Sequence, residues 1–266
     1  MNIVAYLSNG LFVIRLLLLL TLLSNPSFGA PVVRVATLDF PPYVSESLPG
    51  NGWAWQVVEA AFASQDYGAQ LFVLPWPRAV HQVRKGTMDA LYIANKTPQR
   101  ESWAYFSHQV GQEEAVLWKR RTSSAEFQRP EDLQGLAVGG LRGSAQQQFL
   151  EQRGVDVFSV KDFTQGIKML NGGRLDYLVA DRIATRYFLE SLPTEVSEAI
   201  DHVSPPVYSV GFYLAIAKSH PEAQQVIDTF NRGLVAIAES GRYQQILRQF
   251  SLHDDIVSAS STRALN

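Results

Sequence analysis

The 266-residue chain has no cysteine. It therefore has no disulfide, no thiolate nucleophile, no cysteine metal site and no cysteine to carry a lipid tether. Charge is also sparse: 18% of residues are charged and the formal net charge is −2, without the basic stripe that a nucleic-acid surface needs. The apolar run at 16–23 falls short of the ~20 residues that span a membrane. His81, His108, His202, His220 and His253 show no metal-ligand spacing, and neither a GxSxG nor an HExxH motif occurs. These absences point away from an enzyme and leave no cofactor and no metal site to assign.

The first recognisable feature is a leader. Residues 1–29 hold one charge, Arg15, then the apolar run, then small and turn-forming residues with Ser27 and Gly29 at the cleavage positions. This is the pattern of a secretory signal peptide. Its removal would leave a soluble periplasmic chain starting at Ala30; an uncleaved anchor is the competing reading.

Residues 71–107, LFVLPWPRAVHQVRKGTMDALYIANKTPQRESWAYFS, read as strand, short helix, strand and polar loop. LFVL is an apolar run stopped by Pro75. Ala79, Val80 and Val83 keep helical spacing before Gly86, and MDALYIA supplies a second buried strand. Such a unit builds a parallel sheet, and ligands of open α/β sheets lie just past the carboxyl ends of the strands. Those ends carry Trp76 after the first strand and Asn95, Thr97 and Arg100 after the second. The competing role of Trp76 is ordinary core, and that of Arg100 is a surface arginine.

Trp76, KGTMDALYI and TPQRESWAYFS together resemble the amino-acid type of periplasmic solute-binding protein that serves ABC importers, family 3 of the extracellular binding proteins. The resemblance implies an α/β fold of two lobes, the type II periplasmic binding protein. Each lobe is a mainly parallel sheet flanked by helices, and two strands form a hinge. It also implies that Trp76 stacks on the ligand and that Arg100 clamps a carboxylate. Because Arg100 reads as lying on a loop outside either core, Arg100→Ala should abolish binding and leave the fold intact.

The remaining segments fit the same order. VVRVATLDFPPYV is a strand at 32–37 followed by a loop whose aromatic, Phe40, reaches the family's pocket, with Asp39 and Tyr43 close by; plain core is an equal reading of Phe40. A helix follows with Trp53, Val57, Val58, Ala61 and Phe62 on one face. Trp55 lies off that stripe, at the cleft mouth or exposed. EEAVLWKR at 113–120 is the first connecting strand. GGLRGS lies between a strand at 136–141 and a helix at 145–152. By its glycines and Ser144 it offers amides to an anion, with a mere tight turn as the alternative. A second crossover ends at Asp181, which in the family holds the ligand's amino group and which also suits a cap for the helix at 183–189. A second connecting strand at 209–216 precedes a closing helix with Ala223, Val226, Ile227, Phe230, Leu234 and Ile237 on one stripe.

The expected organisation is a first part of lobe one at 30–116, lobe two at 117–212 with connecting strands at its edges, the second part of lobe one at 213–254 and a polar tail at 255–266. Phe40, Trp76, Asn95 and Arg100 would face Ser144 and Asp181, with Arg142 beside them. Three positions depart from the family: Ile93 where glycine is usual, Asn95 where serine or threonine is usual, and Ala145 where a second hydroxyl is usual. The implied function is binding of a small, polar, carboxylate-bearing solute by a monomer that hands it to an ABC permease. A ligand-loaded partner of a membrane receptor, and a dehydratase of cyclic carboxylic acids, are the alternatives.

Overall fold

The computed structural model describes residues 30–124 and 127–250. The expected signal peptide and polar tail fall outside the described residues. In chain order the strands and helices are β1 (Val32–Thr37), α1 (Trp53–Ala63), β2 (Gly68–Val73), α2 (Trp76–Arg84), β3 (Ala90–Asn95), the single turn α3 (Pro98–Glu101), β4 (Ala104–Phe106) and β5 (Gly111–Arg120). They continue with β6 (Val138–Leu141), α4 (Ala145–Glu151), β7 (Val157–Val160), α5 (Phe163–Asn171), β8 (Tyr177–Asp181), α6 (Arg182–Glu190), the single turn α7 (Thr194–Ser197), β9 (Ile200–Ala217), α8 (Ala223–Glu239) and α9 (Arg242–Gln249).

The strands pair in the order β2-β1-β3-β9-β5-β8-β6-β7, with β4 also on β9. β1 runs parallel to β2 and β3, and β6 runs parallel to β7 and β8. Between these two parallel sets lie β9 and β5, antiparallel to each other and to their outer neighbours. Two lobes are thus joined by two long strands. Their mutual register shifts between Ala115 and Leu117, and a bulge there concentrates bending where the chain passes between lobes.

β3 and β8 are buried at every position, because helices cover both faces of a parallel sheet. α8 lays its apolar stripe against α1, where the Gly233 Cα faces the carbonyl of Ala61. α1 is also packed by α9. Covered from several sides, α1 buries Trp53, Ala54, Trp55, Val57 and Val58 together. Trp55, at 1% exposure, therefore lies in the core and not at a cleft mouth or surface. The second connecting strand is also longer than its apolar run suggests. β9 begins at Ile200 and runs through Pro205 and Pro206, pairing with β5 on either side of the shifted register.

Candidate functional site

The carboxyl ends of β1, β3 and β8 and the amino ends of α2, α4 and α5 converge between the lobes. Phe40, in the loop after β1, is held by reciprocal backbone hydrogen bonds with Val44. Its ring stacks on Tyr43 at 4.8 Å and on Phe163 of the opposite lobe at 5.4 Å; Phe163 stacks in turn on Phe188 at 5.5 Å. An aromatic column therefore crosses the cleft. Trp76, the first residue of α2, donates its indole N–H to the carbonyl of Gly143 at 3.1 Å. Arg100 lies 5.0 Å from the Trp76 ring and donates to the same carbonyl at 3.1 Å and to the Asn95 carbonyl at 3.0 Å. Closure is held by ring stacking and by one doubly used carbonyl.

These walls line a cavity of about 30 Å³, comparable with the liquid volume of one water. Phe40, Trp76 and Asn95 line it from lobe one, and Ser144 and Asp181 from lobe two. That volume is too small for a solute of amino-acid size with the lobes as they stand.

The polar wall is unusually acidic. Asp181 caps α6 by accepting from the Ala184 amide at 2.7 Å, and its other oxygen accepts from the Tyr43 hydroxyl and the Glu114 amide at 3.3 Å each. Burial pushes its carboxyl up to about 6 against those bonds. Glu113 of β5 is 3% exposed. One of its oxygens accepts from the Asn95 amide and from the Gln146 amide at 3.0 Å. Burial, reinforced by the Asp181 charge, pushes Glu113 up to about 8. Burial also lowers the Arg100 guanidinium to about 10, opposed by the Glu113 charge. Among the described residues no three His, Asp or Glu side chains converge as a metal site would require.

Residues 33–253 match the model of the bacterial extracellular solute-binding proteins, family 3. The chain belongs to this family. No curated protein matches it in sequence. Among solved structures, a mutant of ArgBP from T. maritima is similar at TM-score 0.71 and 21% identity, over 83% of this chain and 95% of that one. A histidine kinase sensor domain with similarity to periplasmic binding proteins gives 0.75 and 18%, over 83% and 96%. A substrate-binding protein of an amino acid ABC transporter gives 0.70 and 16%, over 82% and 98%. At these identities the likeness is one of fold, the two-lobed type II periplasmic binding protein. The family is one of binding proteins, and no helix among the described residues is long and apolar enough to cross a membrane.

Within this family-3 protein the residues singled out in the sequence take three kinds of place. Phe40, Trp76, Asn95, Ser144 and Asp181 line one cavity. Arg100 lies behind that wall. It sits in α3, capped by Thr97, and is 3% exposed, because its guanidinium packs on Trp76 and finds two carbonyls. It is not on a loop outside the core. Arg142 is exposed and off the cavity wall. Its backbone amide is tied to Val160, and the following Gly143, at φ 72°, turns the chain there. The GGLRGS amides are also largely used internally: Gly143 N–H donates to the Gln147 side chain, and Ser144 N–H to the Leu141 carbonyl.

Glu113 and Gln146 were missed in the sequence. The available signal was alternation along β5, which places Glu113 on the inward face with Gly111 and Ala115. Ile93 carries its own message. Where the family has glycine, its backbone stands at φ 54°, at the register shift of β3 against β9 and on the cavity wall. A β-branched residue there is strained.

Proposed function

We propose that this protein is an exported, monomeric solute-binding protein of the periplasm. It closes on a small polar solute, an amino acid or related carboxylate-bearing molecule, and delivers it to an ABC importer. Lobe one spans 30–116 and 213–254, and lobe two spans 117–212. The solute's amino group sits at Asp181 between Phe40 and Trp76. Its carboxylate reaches Arg100 by taking the place of the Gly143 carbonyl. The observation that supports this reading is the convergence of Phe40, Trp76, Asn95, Ser144 and Asp181 from two lobes on one cavity. Arg142 has no part in it.

A thermal-shift screen of the purified protein against amino acids, short peptides, dicarboxylates and polyamines tests this reading. A solute present at a hundred times its Kd stabilises the folded state by ~2.7 kcal/mol. Stabilisation by amine-bearing solutes is the expected result; a flat response to all of them would overturn it. The similarity to a histidine kinase sensor domain favours one further role, that of a loaded partner for a membrane receptor. Co-purification with a receptor ectodomain instead of a permease would mark that role.

A further inference from the structure

We infer that Glu113, with the carbonyl oxygens of Asn95 and Gln146, forms a second subsite for a cationic nitrogen of the solute, so that the solute is basic and not merely zwitterionic. This rests on the solute-binding reading above.

The argument begins with donors and acceptors. A carboxylate oxygen only accepts, so the amide nitrogens of Asn95 and Gln146 must both face Glu113. They do: Asn95 Nδ2 donates to Glu113 Oε1 and to the Gly211 carbonyl, and Gln146 Nε2 donates to the same Oε1. With Glu113 ionised, three acceptors remain on residues that line the cavity: Glu113 Oε2, Asn95 Oδ1 and Gln146 Oε1. None receives a hydrogen bond from the described residues, and all three side chains are more than nine-tenths buried. Acceptors on residues that line a cavity match a ligand that supplies donors. An ammonium offers three and a guanidinium five.

Charge leads to the same class. Once Glu113 is ionised, it and Asp181 bring two negative groups to one cavity. The cation behind the wall, Arg100, spends its hydrogen bonds on Asn95 and Gly143 carbonyls and none on Glu113. Arg182 is paired with Glu114 at 3.0 Å. A zwitterion adds no net charge, and an anionic side chain would meet only acceptors at this subsite. A solute with one extra positive charge neutralises the wall. Ile93, Leu141 and Phe163 line the same cavity and offer apolar surface to the stem of such a side chain.

Binding of this cation releases the proton that burial keeps on Glu113, and the proton goes to solvent. The groups that face Glu113 are Asp181 on β8, Tyr43 after β1, Arg100 on α3 and Tyr208 on β9. Only Asp181 among them titrates near neutrality.

Isothermal calorimetry on the purified protein tests the subsite with L-arginine, L-lysine, putrescine, L-glutamine and L-glutamate. Wild type and Glu113→Gln are compared in phosphate and in Tris, which differ in ionisation enthalpy. Glu113→Gln keeps an acceptor for both amides and removes a buried charge, so its unfolding temperature should not fall. The expected result is a preference for the basic probes, weakened at least tenfold in Glu113→Gln, with proton release seen in wild type alone. Equal affinity of both proteins for a basic probe overturns the subsite. So does wild-type preference for glutamine or glutamate, which leaves the solute-binding reading standing. Binding of no probe overturns both.

Discussion

Arg100 and Gly143 stand on opposite sides of the cleft, yet the guanidinium of one donates to the carbonyl of the other at 3.1 Å. The arginine is therefore a closing contact as well as a candidate ligand clamp. Its removal leaves the Asn95 carbonyl without that donor, takes a cation away from Glu113 and uncovers Trp76. An unmade buried hydrogen bond costs about 1–3 kcal/mol. Arg100→Ala should accordingly destabilise the protein by about 2–4 kcal/mol in urea unfolding. It should also weaken solute binding at least a hundredfold, about 3 kcal/mol. Arg100→Lys, which keeps the charge but not the planar fork, should fall between. Wild-type stability and affinity in Arg100→Ala would remove both roles.

Asp181 holds two roles that a pair of substitutions separates. Its Oδ1 caps α6 through Ala184, while its charge faces the cavity. Asparagine is as good a cap as aspartate, whereas alanine costs about 1 kcal/mol there. Asp181→Asn should keep stability within about 1 kcal/mol of wild type, or gain some by removing a buried charge. It should nevertheless lose amine-bearing solutes at least tenfold by calorimetry. Asp181→Ala should lose both stability and binding. Undiminished binding by Asp181→Asn would place the amino group elsewhere.

Ile93 invites a test with an unusual sign. At a buried strand position alanine normally outlasts glycine by roughly 0.5–1 kcal/mol. Here φ is 54°, and a Cβ in the left-handed region costs roughly 1–2 kcal/mol. Both substitutions lose the same order of apolar burial, but only glycine also loses the strain. Ile93→Gly should therefore be more stable than Ile93→Ala by up to about 1 kcal/mol in paired urea titrations. It should also widen the cavity and admit bulkier solutes. The ordinary order, alanine above glycine, would show that the strain is not there.

Most of the fold was legible because its elements obey simple periods. The stripe Ala223, Val226, Ile227, Phe230 and Leu234 is buried along α8. The Pro75 and Gly86 boundaries bracket α2, and the all-apolar run of β3 is the central buried strand it resembles. Where the pattern misled, the physical assumption behind it failed. Trp55 was taken off the buried face because one apolar stripe was assumed, but α1 is covered from several directions. The prolines at 205 and 206 concealed the first half of β9, which tolerates them beside an irregular register. In the site, aromatic and glycine signals marked Phe40, Trp76 and Ser144. Glu113 was hidden beside Glu114, although the alternation along β5 turns only the first of the two inward. Arg142 looked useful because it is cationic and near Ser144, yet the turn at Gly143 leaves it in solvent.

The two buried carboxyls set a pH dependence whose sign is opposite to that of a salt-bridged acid. Glu113 stands near 8 and Asp181 near 6 in the folded protein, both above their ordinary values of 4.5 and 3.8, because burial penalises the ionised form. The folded state thus binds protons more tightly than the unfolded chain. The stabilising contribution is complete below about pH 4 and is lost as pH rises through 6 and 8. Parting of the lobes, which hydrates the carboxylate, limits the loss. Unfolding free energy from urea titrations at pH 5, 6.5 and 8 should fall steadily in wild type. Glu113→Gln should show a shallower fall and be the more stable protein at pH 8. A saturating basic solute should restore wild-type stability at pH 8, since its cation then stands where the proton stood. Equal slopes in the two proteins would mean that Glu113 is hydrated in the folded state and carries no such penalty.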